Sequence, residues 1–198
     1  MTKGRLEAFT DGVIVILITI LVLELRAPHG ATLEALQPLA PMFLSYILSF
    51  VFIAIYWNNH HHLMHAVHRV DGRVLWANVH LLFWLSIVPF ATAWMGDNHF
   101  AALTVAAYGT VLFLAAIAFT ILVRTLLACH GQSSTLALAM GADRKGKLSL
   151  VLNATGIAVA LLNRWIALAL YVSVVIIWLV PDRRIERILN EKTAAPEV

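Results

Sequence analysis

Residues 13–23 read Val13-Ile14-Val15-Ile16-Leu17-Ile18-Thr19-Ile20-Leu21-Val22-Leu23, eleven positions with one polar member. The turns before them read Arg5-Leu6-Glu7-Ala8-Phe9-Thr10-Asp11-Gly12. A helix from about Arg5 to Leu25 has the roughly 20 residues needed to cross a bilayer. Five further apolar stretches follow: about Pro38 to Met64, Val74 to Met95, Phe100 to Leu127, Leu148 to Leu162, and Trp165 to Val180, the last stopping at Pro181. Strand-like alternation is absent, which argues against a β-barrel. The fold expected is an all-α membrane protein with six transmembrane helices.

Composition agrees. Of 198 residues, 61% are hydrophobic and 13% charged, and mean hydropathy is +0.83. Soluble domains average about 45–50% apolar and about 25% charged. Too few charges remain to coat a soluble surface, so a secreted or cytosolic enzyme is excluded. The net charge of +3 comes without the clustered basic face of a nucleic-acid binder. Cys129 stands alone, which leaves no intrachain disulfide and no cysteine metal motif. The first apolar run is not followed by a small-residue cleavage site and reads as a permanent helix rather than a signal peptide.

Lysine and arginine set the orientation. Lys3, Arg5, Arg69, Arg73, Arg124, Arg144, Lys145, Lys147, Arg183, Arg184, Arg187 and Lys192 fall on one side of a six-helix layout, and Arg26 and Arg164 on the other. That split, twelve against two, places both termini in the cytoplasm. Residues 1–182 then form the transmembrane domain, and 183–198 a basic cytoplasmic tail. The stretch from His130 to Lys147 is the longest loop, and Asp97 to His99 forms a tight external turn.

Three groups of residues can carry chemistry. Ile16, Thr19 and Leu23 are spaced three and four apart and share a helical face with Gly12. Copies of helix one around an axis would place rings of Ile16, Thr19 and Leu23 along it, a narrow apolar constriction of the kind that gates by dewetting. Threonine in a membrane helix also bonds its own carbonyl at i−4, and a branched apolar stripe also serves packing. Spacing alone leaves the stripe open between lining and packing.

The end of helix two reads Tyr56-Trp57-Asn58-Asn59-His60-His61-His62-Leu63-Met64-His65, with His68 beyond. His61, His65 and His68 fall at i, i+4 and i+7, a spacing that can hold a metal. The His-Glu-x-x-His companion is missing. A metal-binding transporter or membrane enzyme is the rival function that follows from this cluster.

Asp11, close to one membrane boundary, needs a partner: Arg5 of a neighbouring chain or polar groups of helix two. Asn78 lies at similar depth in helix three. A polar layer of Arg5, Asp11, Trp57, His60 or His61, and Asn78 would tie helices one, two and three together. Pro89 is expected to kink helix three. Asn153, Thr155, Gly156 and Asn163 read as helix-packing positions.

Arg5-Leu6-Glu7-Ala8-Phe9-Thr10-Asp11-Gly12 resembles the R-x-x-x-F-S-D motif that opens helix one in potassium channels of the transmembrane-protein-175 type, with Thr10 replacing serine. The segments Tyr56 to His61, Trp76-Ala77-Asn78 and Val88-Pro89-Phe90 are similar to that family's second and third helices. The resemblance implies a homotetramer of six-helix subunits, with helix one lining a central pore and no re-entrant filter. It implies a hydrophobic gate at Ile16, a selectivity-setting hydroxyl at Thr19 and a further apolar layer at Leu23. It also implies a supporting polar network of Arg5, Thr10, Asp11, Trp57, His60, His61 and Asn78. The function implied is a potassium-permeable cation channel of modest potassium-over-sodium selectivity, multi-pass in the plasma membrane. Its partners are further copies of itself, the lipid bilayer and monovalent cations, with no nucleic acid and no cofactor beyond the permeating potassium ions.

Overall fold

Side-chain caps set where three of the helices of this chain start. The computed structural model describes residues 2–131 and 143–179. Within them six long helices follow one another: helix one Lys3–Leu23, helix two Ala40–His65, helix three Gly72–Asp97, helix four Ala102–His130, helix five Arg144–Ala160 and helix six Arg164–Leu179. A one-turn helix, Leu33–Leu36, and a 3-10 turn, Gln37–Leu39, lead into helix two. Asp71 caps helix three, its Oδ1 accepting from the Val74 N–H at 2.9 Å. Asp143 caps helix five through the Gly146 N–H at 2.9 Å. Asn163 caps helix six, its Oδ1 accepting from the N–H groups of Trp165 and Ile166 at 3.0 and 3.3 Å. Each cap satisfies backbone donors that a helix start leaves unpaired.

The apolar runs mark these helices, but several ends lie outside them. Helix five begins four residues before Leu148, because Asp143 initiates it ahead of the apolar run. Helix four continues through His130, shortening the connection expected from His130 to Lys147. Helix one stops at Leu23 rather than Leu25. The turn at Asp97 to His99 is present, closed by left-handed backbone at His99 and Phe100 (φ 50° and 57°). Helix three runs unbroken past Pro89 to Asp97. Pro181 and the tail 183–198 lie outside the described residues.

Helices one to four, the second counted with its lead-in turns, are long and apolar enough to cross a membrane. Helix five has 17 residues and carries Arg144, Lys145 and Lys147, while the described part of helix six has 16. At 1.5 Å per residue each of these two spans about 24–26 Å, short of a ~30 Å hydrocarbon core. Among the described residues, the chain's alternating direction gathers Lys3, Arg5, Arg69, Arg73, Arg124, Arg144, Lys145 and Lys147 at one end of the bundle. Arg26 and Arg164 lie at the other. His130 pins that basic end, its Nε2 accepting from the His68 and Arg69 N–H groups at 3.2 and 3.3 Å.

Two apolar clusters fill the interior. Leu6, Ile14, Leu17 and Leu21 of helix one pack with Ile53, Leu63, Leu81, Leu85 and Leu122. Phe52, Met95, Tyr108, Leu112, Tyr171 and Val174 build the second cluster. Lipid tails are as apolar as leucine, so association rests on close packing and polar bonds. Gly109 and Gly156 supply the closest approach, since a Cβ on either would collide with the Tyr171 side chain. Helix one packs on helices two and three. Its other face is left uncovered.

Candidate functional site

That uncovered face carries the stripe singled out in the sequence. Leu6, Thr10, Ile14, Leu17 and Leu21 are buried. Asp11, Gly12, Val15, Ile16, Thr19 and Leu23 are exposed. Ile16 is 57% and Leu23 77% exposed, high for side chains of this size. A contiguous apolar strip of this kind marks contact with lipid or with another protein surface. The Thr19 Oγ1 donates to the Ile16 carbonyl at 2.7 Å, an i−3 bond in place of the i−4 bond anticipated. With its proton committed to the helix, the hydroxyl faces outward as an acceptor.

The polar layer is present, in two parts. One is buried. Asn78 joins three helices: its Nδ2 donates to Thr10 Oγ1 at 2.9 Å, and its Oδ1 accepts from His60 Nε2 at 2.9 Å. With the Asn78 oxygen as acceptor, His60 carries its proton on Nε2. All three side chains lie out of solvent, so each group depends on the others. The other part is at the surface. Trp57 Nε1 donates to Asp11 Oδ1 at 3.0 Å, and the Trp57 ring stacks on His61 at 5.9 Å between centroids. Asp11 thus finds its partner on helix two. Arg5 is exposed on the first turn of helix one and joins neither part.

The phase of helix two separates the two candidate histidines: His60 faces the bundle and His61 faces out. The metal reading of the cluster does not fit this arrangement. His61 and His65 meet with ring centroids 4.4 Å apart. Helix two ends at His65, so the i+7 relation to His68 is lost, and the His68 N–H turns to His130. Among the described residues, no three His, Cys, Asp or Glu side chains gather as a metal set.

A second buried polar cluster escaped the sequence reading. Ser49 Oγ lies 2.6 Å from Thr92 Oγ1 and 3.0 Å from the Tyr108 hydroxyl, linking helices two, three and four. Its signal in the sequence was a hydroxyl residue toward the same end of each helix: Ser49 in the first half of helix two, Thr92 near the end of helix three and Tyr108 near the start of helix four.

The family model described as endosomal/lysosomal potassium channel TMEM175 matches residues 5–89. Over 191 residues the chain is 51% identical to a potassium channel of Chryseobacterium sp. (strain P1-3), an alignment covering 96% of this chain and 100% of the relative. The chain belongs to the TMEM175 family. It resembles the endosomal/lysosomal proton channel TMEM175 of Gallus gallus at 34% identity over 103 residues, 46% of this chain and 21% of that longer protein. Its fold matches the crystal structure of a lysosomal potassium-selective channel TMEM175 homologue from Chamaesiphon minutus. The TM-score there is 0.78 at 26% identity, covering 91% of this chain and 97% of the other. These TMEM175 relatives are channels, so the chain is a member of a non-enzymatic membrane family. The stripe and both parts of the polar layer lie inside the matched segment 5–89.

Proposed function

We propose that this TMEM175-family chain is a potassium-permeable cation channel of the plasma membrane, assembled as a homotetramer with both termini in the cytoplasm and helix one lining the central axis. The observation that carries the reading is the uncovered face of helix one, on which Ile16, Thr19 and Leu23 stand exposed opposite a buried leucine-rich face. One six-helix chain supplies one helix one, so an axial pore needs several copies.

In the assembly Ile16 forms the narrowest ring, Thr19 the next and Leu23 an apolar layer beyond. An isoleucine ring offers no oxygen to replace an ion's hydration shell, so it gates by excluding water. The Thr19 hydroxyl, its proton held by the Ile16 carbonyl, presents lone pairs alone. That favours a cation over an anion. A single ring of such ligands supports modest discrimination between potassium and sodium. Thr10, Asn78 and His60 hold helix one at the depth and rotation this lining requires. Asp11, Trp57 and His61 fix its basic end, and Arg5 contributes there between subunits.

Cysteine accessibility tests the lining. In a Cys129→Ser background, cysteine is placed in turn at Ile16, Thr19, Leu23 and, as a control, at the buried Leu17. A permeant cationic thiol reagent should block potassium flux at the first three positions and leave the Leu17 variant conducting. Equal block at all four, or at none, would remove helix one from the pore wall.

A further inference from the structure

Helix five differs from the four long helices. Its 17 residues reach about 26 Å at the helical rise, short of a ~30 Å hydrocarbon core. Its first turn holds Arg144, Lys145 and Lys147, and no carboxylate follows the Asp143 cap. A helix this short keeps those cations at the edge of the hydrocarbon rather than out in water. The three are not alike. The Lys145 Nζ lies over the Trp178 ring, 5.9 Å from its centroid. Arg144 and Lys147 are exposed.

Arg144 and Lys147 stand three positions apart, on one face of the helix. Leu148 and Val151 continue that face away from the basic end and are 46% and 60% exposed. Ser149, Asn153, Gly156 and Ala160 form the buried face. A pair of cations thus borders an uncovered apolar strip. No carboxylate answers the pair. Asp143, next to it in sequence, accepts from the Gly146 N–H at 2.9 Å. Elsewhere at the basic end Asp71 accepts from the Val74 N–H and Asp11 from the Trp57 indole. Among the described residues, neither the Arg144 nor the Lys147 side chain has an ion-pair partner.

A cation near the hydrocarbon is costly, and long arginine and lysine side chains lower the cost by reaching for the headgroups. A zwitterionic headgroup offers a phosphate but brings a cation of its own, which the pair repels. A net-anionic headgroup offers the phosphate alone. A soluble phosphate would meet the charges and leave Leu148 and Val151 uncovered, whereas a lipid covers both. We propose that this face of helix five docks an anionic glycerophospholipid, its phosphate held by Arg144 and Lys147 and an acyl chain lying along Leu148 and Val151. Arg144 takes phosphate oxygens through two N–H groups, and Lys147 acts as a point charge.

Lipid-selective quenching tests this on the full-length protein in vesicles. In a Cys129→Ser background a bimane label is placed at Thr155→Cys, exposed one turn beyond Val151. The control label is at Phe90→Cys, a 68% exposed position on helix three with no lysine or arginine in its adjacent turns. Quenching by dibrominated phosphatidylglycerol against dibrominated phosphatidylcholine gives the relative affinity of the two lipids at each label. Phosphatidylglycerol should be favoured at least about fivefold at position 155, the worth of one basic side chain near an anionic surface, and about equally with phosphatidylcholine at position 90. Arg144→Gln with Lys147→Gln should bring the ratio at position 155 to about one. The charge-keeping swap, Arg144→Lys with Lys147→Arg, should retain most of it, which separates lost charge from lost fold. Excess glycerol phosphate should leave the ratio unchanged. Equal ratios at the two labels overturn the proposal, as does a preference that survives the double glutamine variant. Displacement by glycerol phosphate points to a soluble phosphate and overturns the lipid as occupant.

Discussion

Replacing Asn78 with leucine should loosen helix one from the bundle. Asn78 makes two hydrogen bonds, to Thr10 on helix one and His60 on helix two, each 2.9 Å long. Side chain–side chain bonds inside membrane bundles average about 0.6 kcal/mol each, so the bonds alone set a floor near 1 kcal/mol. The larger cost is what remains. His60 Nε2–H and Thr10 Oγ1 are left buried and unpaired at about 1–3 kcal/mol apiece. The loss therefore falls between about 1 and 6 kcal/mol. The assay is equilibrium unfolding of the purified protein in micelles of rising dodecyl sulfate content. The cycle with His60→Leu is decisive, because removing both partners leaves one stranded group fewer. The double variant should lose less than the sum of the two singles. A single Asn78→Leu variant within about 0.5 kcal/mol of wild type, or strict additivity in the cycle, would show that Asn78 does not tie helix one to the bundle.

Four further outcomes follow from other contacts. Gly109→Ala forces a methyl group into the Tyr171 side chain and should cost about 1–3 kcal/mol; Tyr171→Phe, which removes the colliding hydroxyl, should restore part of it in the same unfolding assay. His130→Ala removes the acceptor for the His68 and Arg69 amides, and hydrogen exchange at those two amides should accelerate about tenfold while helix-three amides stay protected. Thr19→Val keeps the shape and removes the outward oxygen, so the potassium-to-sodium permeability ratio from reversal potentials should fall toward one with conduction retained. Trp57→Phe strips Asp11 of its indole donor while His60 and Asn78 stay bonded; flux should change while unfolding stability shifts by under about 1 kcal/mol.

The helices were legible in the sequence because each carries an apolar run that nothing but a bilayer or a bundle core accommodates. Several of their ends were not, because the polar side chains of Asp71, Asp143 and Asn163 set the starts of helices three, five and six. Arg144, Lys145 and Lys147 read as loop, yet the Asp143 cap draws them into helix five. The chemistry of the polar layer was also legible, since buried amides, indoles and carboxylates require partners. Its division was not. Adjacent residues on a helix point about 100° apart, so whether Thr10 or Asp11, and His60 or His61, faces inward depends on how helices one and two are rotated against helix three. That rotation is set by the packing of Leu6, Ile14 and Leu17, which the spacing of one helix does not reveal. The Ser49, Thr92 and Tyr108 cluster went unread for a related reason. One hydroxyl in a membrane helix is unremarkable until three helices bring theirs to one point.

In the proposed channel the uncovered face of helix one lines a potassium pathway with Ile16 at its narrowest point. The direct test is potassium flux through the purified oligomer in liposomes, wild type against Ile16→Asn. Potassium flux through the wild type and a several-fold rise in the variant are expected, because an amide ring wets the constriction that isoleucine keeps dry. Flux that is the same in both, or absent from both in well-folded oligomers, would contradict this pathway.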